Sequence, residues 1–543
     1  MARALRRRRP VDPRRPGRDA ARRGEERAGT DRGRALSRSR SRLPLRRARL
    51  VSRVIGQRRV EAHPRLVRLP PREDLTDLDA RDDTITGGRK VTRELSEWIA
   101  NLRYEDLPEP VVEEAGRAFA DFLGECLFVG ATKDWGRSIA DFCARDGGGQ
   151  PEATIIATGR RTLTARAALA NGTMALGFEF ADYGAGSRPY PFAVTAPLAV
   201  AESRHRSGKD FALAIVIGYE VMGRIFRATF ERGKPIPFYV PSVYGTFAAA
   251  AGCARLLELS PHYTNYALGL AAAFTGGTFQ GHEEGAWQRS LNGGMASERG
   301  VTAALLAQTG FRATELGLEG VQGFAQMYCE GRLDPDALLA DLGASFIITD
   351  RWVKKYPMNT TLHAPVEALL QIMDDHELRY TDIGQIDAAW QRVEPFLAKH
   401  NVSSVVSAQA SLPFALAVAA VRGRVGVDEF TDETVADPVI QAMIPRTIVH
   451  QDEELFANVE NSMPGRVTVR TTDGRAFTHE VMYPKGNARN PLTEAEFKAK
   501  FMDMAERVLG HDQADRLYER ARELPNVGDV ADLAPLLSRP RNC

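Results

Sequence analysis

The sequence predicts a mainly α-helical protein with a large all-helical domain and a smaller α+β domain. Apolar residues recur at helical spacing, in runs rich in Ala and Leu, from Val91 to about Gly343. Beyond Phe346 short β-branched runs appear, and Asp473-Gly474 is a strong hairpin signal between two of them. The length of 543 residues and the hydrophobic content of 43% suffice for two or three domains with sizeable cores.

Residue composition and the predicted secondary-structure pattern divide the chain into five parts. We predict a disordered, Arg-rich extension over 1–90, a helical domain over 91–345, an α+β domain over 346–488, C-terminal helices over 489–525 that return to the helical domain, and a tail over 526–543. The first boundary lies where Arg, Pro and Ser give way to periodic apolar residues. The second lies where helical runs give way to strand patterns.

The amino-terminal extension carries most of the positive charge. Residues 1–90 hold 28 Lys and Arg against 12 Asp and Glu, a net charge of +16, so the remainder must carry −14 for the chain to total +2. Few aromatic residues and no apolar periodicity predict disorder. An Arg run suits a nucleic-acid arm or a polybasic membrane contact. Because valine codons can start translation, we favour a third hypothesis, that the natural protein begins at Val91.

The body of the chain points to a cytoplasmic protein without nucleic-acid or membrane partners. It is acidic and contains no recognisable nucleic-acid motif. No signal-peptide core follows the Arg-rich start, and no apolar run approaches the roughly 20 residues that span a bilayer. The cysteines lack CxxC spacing and are expected to be reduced, with neither zinc nor disulfides. They are Cys126, Cys143, Cys253, Cys329 and Cys543.

Local patterns locate the main elements. Long apolar runs predict core helices over 211–226, 244–259, 266–274 and 295–310. Strands are expected over 386–393 and 466–469. Thr493 with Glu496 forms a capping box that starts a further helix.

Several common chemistries lack their motifs. The sequence contains no phosphate loop GxxxxGK[ST], no GxGxxG after a strand, no HExxH and no nucleophile-elbow GxSxG. The glycine triplet at 147–149 is expected to turn a loop. His282 beside Glu283 and Glu284 could suggest a metal site, but adjacent carboxylates on a helix point in different directions, so we expect no metal there.

The strongest functional signal is the segment NGTMALGFEFADYGAGSRPYP at 171–191. An Ala-rich helical run stops there in a polar loop crowded with Glu179, Asp182, Tyr183, Arg188 and Tyr190. Polar, glycine-containing loops with such side chains commonly carry function.

Further segments in the same order make a family resemblance specific. They are GQPEATIIATGRR at 149–161, GYEVMGRIF at 218–226, YVPSVYGTFAAAAGCARLLEL at 239–259, WQRSLNGGMASERG at 287–300, KKYPMNTTLHAPVEAL at 354–369, SLPFALAVA at 411–419 and RNPLTEAEFKAKF at 489–501. From Val91 to about Leu509 the chain resembles the MmgE/PrpD family, which includes 2-methylcitrate dehydratases, cis-aconitate decarboxylases and iminodisuccinate epimerases.

The resemblance implies a fold and a chemistry. It implies that a helical domain and an α+β lid meet around a polar cleft, that the protein forms a homodimer, and that it acts on a small di- or tricarboxylate without metal or other cofactor. Breaking a bond next to a carboxylate requires a base, an acid and cations that hold the carboxylates.

The resemblance also assigns substrate-binding residues. The acidic residue of the family loop corresponds to Glu179. Arg188 stands where relatives have a histidine before proline, and Arg289 stands where they have a lysine. Because Arg stays charged and binds carboxylates through two N–H groups, Arg188 and Arg289 are expected to clamp substrate. Lys355 is the expected lysine of the Lys-Tyr-Pro segment, although either it or Lys354 could face inward.

The catalytic assignments follow in the same way. His363 matches the family histidine of the lid block and is expected to move the proton near neutral pH. Tyr239 replaces a family histidine and Tyr183 a threonine, so both are candidate proton or hydrogen-bond donors. Phe414 stands where a tyrosine is expected. These replacements leave buried packing or salt bridges as alternative roles for each residue.

The predicted function is a lyase of the 2-methylcitrate dehydratase type, a hydro-lyase. Decarboxylation or epimerisation within the same family is the alternative. A catalytically degenerate protein that only binds a small carboxylate is a further one.

Overall fold

The computed structural model describes residues 85–539, apart from 87, 146–149, 185, 232–233, 235, 391–396, 453, 457–458 and 460. The predictions made for residues 1–84, for the glycine triplet and for Cys543 lie outside these residues. The other four cysteines are buried, as predicted.

Helices dominate the described chain, in agreement with the predicted fold class. They are α1 Val91–Asn101, α2 Glu109–Thr132, α3 Asp134–Arg145, α4 Thr164–Ala175, α5 Tyr190–Ala193, α6 Thr195–Ser203, α7 Gly208–Thr229, α8 Val240–Leu256, α9 Pro261–Phe274, α10 Gln280–Glu283, α11 Gln288–Gln308, α12 Phe324–Cys329, α13 Pro335–Leu339, α14 His363–Asp375, α15 Val405–Ala408, α16 Leu412–Arg422, α17 Asp432–Val435, α18 Pro438–Met443, α19 Glu494–Leu509 and α20 His511–Arg522. Among these residues, no helix is both long enough and apolar enough to cross a lipid bilayer.

The predicted core helices exist, but they begin earlier than their apolar runs. Helix α7 starts before the run at 211–226 because Ser207 caps it, accepting a hydrogen bond from Asp210 N at 3.2 Å. Helix α9 likewise starts before the run at 266–274, with Ser260 as its N-cap. Apolar periodicity marks the buried face of a helix, whereas its polar cap lies outside that face.

The strands form two small sheets. A hairpin joins β1 Ala153–Ile155 to β2 Arg160–Thr162. The second sheet has the order β4-β3-β5-β6, with β3 Ile383–Trp390, β4 Thr447–Gln451, β5 Gly465–Thr471 and β6 Ala476–Val481. Strand β3 pairs in parallel with β4 and antiparallel with β5.

The four-stranded sheet agrees with the sequence signals. The predicted hairpin at Asp473-Gly474 joins β5 to antiparallel β6, and Gly474 has a φ of 91° that favours glycine. Strand β3 begins at Ile383, three residues before the predicted start, and residues 391–393 of that prediction are not described. Helix α14 packs on β5 and β6, and α16 packs on α14, so the α+β region has its own apolar layer.

The last helices pack on the first long ones. Helices α19 and α20 contact α2. The capping box of α19 is confirmed, because Thr493 N donates to the Glu496 carboxylate at 2.8 Å and Thr493 Oγ1 accepts from Glu496 N at 3.2 Å. Lys500 of α19 forms an ion pair with buried Asp121 of α2 at 2.6 Å. A charge pair therefore accompanies the apolar packing of this contact.

Candidate functional site

The loop between α4 and α5 is fastened to the chain that precedes α14. Tyr183 N donates to Trp352 O at 3.0 Å, which forms an isolated antiparallel bridge. Glu179 has a φ of 57°, in the left-handed region that non-glycine residues rarely adopt. Lys354 stabilises this conformation, because its Nζ donates to the Glu179 carbonyl at 2.8 Å. Held backbone strain of this kind is typical of functional sites.

Three cations converge on the Glu179 carboxylate, and we call these four residues the Glu179 cluster. Arg188 Nη2 donates to Oε2 at 2.9 Å, Lys354 Nζ donates to the same oxygen at 3.0 Å, and Arg289 Nη1 donates to Oε1. Glu179 is 2% exposed, and Arg289 and Lys354 are each 1% exposed. One carboxylate facing three cations leaves a surplus of two positive charges.

Pairing keeps these buried groups charged. Burial by itself raises the pKa of Glu179, but Arg188, Lys354 and Arg289 together hold that pKa well below its usual range. Burial lowers the pKa of Lys354 to about 8, although Glu179 acts in the opposite direction. Glu179 is therefore an anion at neutral pH while Lys354 remains largely a cation, so the surplus of positive charge persists.

A cavity of about 680 Å³ lies beside the cluster. Arg188 reaches its wall together with Tyr183, Tyr239 and His282, and Thr360 contributes from the chain before α14. Much of the remaining wall is apolar. It includes Phe230, Ile236, Pro237, Phe238, Val240, Pro241, Phe279, Leu397 and Met463. A concave apolar space with a few convergent polar groups is typical of small-molecule sites.

Three further guanidinium nitrogens of the cluster are available for an anion. Arg188 Nε and Arg289 Nε and Nη2 are buried and have no hydrogen-bond partner among the described residues. Buried donors normally find an acceptor, because leaving one unsatisfied costs about 1–3 kcal/mol. The cluster is thus equipped to donate hydrogen bonds to carboxylate oxygens beyond those of Glu179.

The two predicted tyrosines both lie at the cavity. Tyr239 is the N-cap residue of α8 and is 1% exposed. Burial raises the pKa of its hydroxyl, while Arg188 and Arg289 lower it. The Tyr183 ring packs on Trp352 with centroids 5.4 Å apart, and burial raises the pKa of its hydroxyl as well. Both hydroxyls are therefore protonated at neutral pH and can donate hydrogen bonds.

His363 lies close to the cluster but does not line the cavity. It is the first residue of α14, is 3% exposed and packs against Tyr356 with ring centroids 5.3 Å apart. Burial lowers the pKa of His363 well below its usual range, and Lys354 lowers it further. The expectation that this imidazole titrates near neutral pH is wrong, because a buried site next to a cation disfavours imidazolium.

Lys354, rather than Lys355, is the inward-facing lysine. Lys355 is exposed, and its ammonium group lies over the Tyr356 ring at 5.2 Å from the centroid. Lys354 Nζ instead bonds Glu179 and the Met358 carbonyl, the latter at 2.9 Å. The placement expected for Lys355 is therefore corrected by one residue. Two adjacent lysines point in different directions, and the sequence offers no signal that tells which one is inside.

The sequence analysis did not identify His282 as part of the cavity wall. His282 lies in α10, and Phe279 is the N-cap residue of that helix. The two ring centroids lie 4.9 Å apart. Burial lowers the pKa of its imidazole to about 3, Arg289 lowers it further, and Glu179 acts in the opposite direction. Of the adjacent carboxylates, Glu283 also lines the cavity and pairs with Lys399 at 3.2 Å, whereas Glu284 accepts from Gln280 at 2.6 Å.

Phe414 is not among the residues that line the cavity. It is fully buried in α16 and packs against Phe430, with ring centroids 6.1 Å apart. The neighbouring residue Gln409 does support the site, because its side-chain amide donates to the carbonyls of Phe178 and Pro357. This bond ties the Glu179 loop to the Lys-Tyr-Pro segment.

The fold and the site together define a class of protein. A mainly helical body and an α+β region jointly supply a buried, positively charged cluster beside a largely apolar cavity. Such an arrangement has the charge and the shielding from water that suit a small anion.

Comparison with known proteins identifies the family. Residues 93–335 match the MmgE/PrpD N-terminal domain and residues 356–524 match the MmgE/PrpD C-terminal domain. The chain therefore belongs to the MmgE/PrpD family, as the resemblance predicts.

Curated relatives align along nearly their whole length. A cis-aconitate decarboxylase-like protein, oryM, of Aspergillus oryzae is 27% identical over 503 residues, which cover 85% of this chain and 99% of the relative. Cis-aconitate decarboxylase of Aspergillus terreus is 25% identical, with 83% and 96% coverage. Cis-aconitate decarboxylase of Homo sapiens is 23% identical, with 83% and 95% coverage. These relatives are lyases, the enzyme class predicted from the sequence.

Proposed function

We propose that this protein is a lyase that decarboxylates an unsaturated tricarboxylate of the cis-aconitate type. The observation that carries the proposal is the surplus of positive charge in the Glu179 cluster beside a cavity with apolar walls. The names of the fungal and human relatives support the same reaction. Like other members of the family, the protein is proposed to work without a metal or organic cofactor, as a homodimer in the cytoplasm.

Each part of the site has a role in this reaction. Arg188 and Arg289 hold the carboxylates that remain on the substrate, and Lys354 adds positive charge behind them. Glu179 separates the cations and so reduces their mutual repulsion. The apolar wall leaves the departing carboxylate poorly solvated, which favours its conversion into neutral carbon dioxide.

The remaining predicted residues are assigned supporting roles. Tyr183 and Tyr239 donate hydrogen bonds to the substrate from the cavity wall. His363 acts as a positioning residue for Lys354. Its side chain hydrogen-bonds to the backbone of Met358, and Lys354 Nζ donates to the Met358 carbonyl. Lys355 has no proposed part in the reaction.

Water elimination of the 2-methylcitrate dehydratase type is the second candidate. It requires a base that removes a proton next to a carboxylate. The observation that favours it is His282, which lines the cavity and whose imidazole burial keeps neutral.

One assay separates these reactions. The purified full chain is incubated with cis-aconitate in D₂O, and carbon dioxide release and product are followed by manometry and NMR. Decarboxylation predicts stoichiometric carbon dioxide and a product with one deuterium on carbon. Parallel incubations with citrate and 2-methylcitrate detect water elimination. Tight binding of these acids without any product would instead identify a carboxylate-binding homologue and contradict the proposal.

A further inference from the structure

His282 contributes to the wall of the cavity. It lines the same space as Arg188 and Tyr239, whereas His363 is not part of the wall. A chain of ring contacts joins Tyr239 to Phe279 at 5.8 Å and Phe279 to His282 at 4.9 Å, so His282 and Tyr239 contact the same phenylalanine. Arg188 and Tyr239, which stand where the family resemblance implies histidines, stay in one protonation state at neutral pH.

The backbone around His282 fixes its relation to the cluster. His282 N donates to Phe279 O at 2.9 Å, and Ala286 N donates to Gly281 O at 2.8 Å, closing a compact turn. Arg289 N then donates to Ala286 O at 3.1 Å, so the turn runs directly into the first turn of α11. His282, which lines the cavity, and Arg289, which pairs with Glu179, are therefore placed by one continuous turn.

The charged groups around His282 act on its pKa in opposite directions. Arg289 in α11, Arg188 in the loop and Lys399 from the α+β region disfavour imidazolium, while the Glu179 carboxylate favours it. Glu283 partly balances Lys399 through their ion pair. A bound tricarboxylate adds three negative charges against these cations. An opposite charge within about 4–6 Å favours the charged form of a titratable group, so these carboxylates favour imidazolium.

We infer that His282 becomes protonated when the tricarboxylate binds and then donates that proton to the substrate carbon that loses carbon dioxide. This inference rests on the proposed function and assigns its proton donor. The bond between the chain carbon and the departing carboxylate breaks, and carbon dioxide leaves without the bonding pair. The pair remains on the carbon, where the His282 proton forms the new C–H bond. His282 ends neutral and takes its next proton from solvent as the next substrate binds.

Calorimetry of the wild-type protein tests the proton uptake. Tricarballylate, a saturated tricarboxylate without a reactive double bond, is titrated at pH 7 in buffers that differ in ionisation enthalpy. The inference predicts uptake of about one proton per site in the wild type and in His363→Gln, and close to none in His282→Gln. Equal uptake in wild type and His282→Gln would overturn it.

Turnover supplies the second readout. His282→Gln is expected to bind tricarballylate within about fivefold of wild type but to release carbon dioxide at least 100-fold more slowly, in the range of a lost general acid. The matched control is His262→Gln, at an exposed histidine of α9 outside the cavity wall, which is expected to keep full activity. Should His282→Gln unfold, His282→Asn replaces it in both measurements, and its proton uptake is compared with that of the wild type.

The two proposals fail in different ways. A wild-type protein that takes up a proton with tricarballylate but releases no carbon dioxide contradicts the proposed function and leaves the protonation of His282 in place. A wild-type protein that releases carbon dioxide while His282→Gln does so at a similar rate contradicts the inference alone.

Discussion

The Glu179 cluster and a second buried ion network differ in charge balance and in access to a cavity. The second, which we call the Arg351 network, consists of Glu114, Asp121, Asp182, Arg351 and Lys500. Arg351 lies 2.7 Å from Glu114 and 3.6 Å from each of Asp121 and Asp182, and Lys500 pairs with Asp121. Here carboxylates outnumber cations.

On the proposed function, this difference distinguishes a binding site from a structural contact. The Glu179 cluster carries an excess of cations, and one of them, Arg188, lines a cavity. The Arg351 network joins α2, α19 and the Glu179 loop, and its two cations are outnumbered by three carboxylates. Burial of charge is common to both, so the unbalanced charge and the cavity are what mark a site for an anionic ligand.

The largest expected effect comes from removing one cation from each group. Arg351→Met should lower the free energy of unfolding by about 3–5 kcal/mol, because it leaves buried carboxylates uncompensated. Arg289→Met should change stability by less than about 1 kcal/mol, because Glu179 keeps two cations and their mutual repulsion falls. Urea unfolding of both variants measures this contrast. Equal losses would show that the two groups are alike in function.

The adjacent lysines give the next largest effect. Lys354→Met should lower kcat/KM for the tricarboxylate roughly 10- to 100-fold, the range of one lost charged hydrogen bond. Lys355→Met is the matched control and should stay within about threefold, because exposed charges contribute little. Steady-state kinetics on both variants decides. A larger loss in Lys355→Met would contradict the inward placement of Lys354.

The pH dependence of activity sharpens the comparison further. Lys354 has a pKa of about 8, so the protonated form that attracts carboxylates disappears above that pH. kcat/KM should therefore fall about tenfold per pH unit beyond pH 8. Stability should change in the opposite sense: the unfolded lysine binds more protons than the folded one between pH 8 and its usual pKa, so this group makes unfolding less favourable as pH rises there. A flat rate profile up to pH 9 would be inconsistent with the assignment.

The smallest effect belongs to the Arg351 network. Burial raises the pKa of Asp182 to about 6, despite the lowering effect of Arg351. Between its usual pKa near 4 and pH 6 the folded carboxyl binds more protons than the unfolded one, so its contribution to stability is lost as pH rises through this window. Comparing wild type with Asp182→Asn by thermal unfolding across pH 4–7 isolates the slope, which should be shallower in the variant. The rate of catalysis should not change with the protonation of Asp182 over this pH range.

Much of the fold could be predicted because its signals are local. Apolar periodicity located α7 and α9, and a two-residue turn located the hairpin between β5 and β6. Helix ends were less predictable, because caps such as Ser207 lie outside the apolar pattern that identifies the helix. The family followed from co-linear segments, each of which carries both core and loop residues.

The site could be predicted only in part, because its geometry depends on distant segments. The sequence pointed to Glu179, Arg188 and Arg289, which the fold brings into contact. Which of two neighbouring lysines faces inward depends on the bridge between Tyr183 and Trp352, and no local pattern encodes that bridge. His282 was considered only with its adjacent carboxylates, since its position against the cavity arises from the turn that leads into α11.

A crystal structure of the protein with tricarballylate would show whether the Glu179 cluster binds carboxylates. We expect carboxylate oxygens of the ligand to accept hydrogen bonds from the Arg188 and Arg289 guanidinium groups, with the carbon chain in the cavity beside Tyr239. A ligand bound elsewhere, with the Glu179 cluster in contact with none of its carboxylates, would refute the proposed anion site.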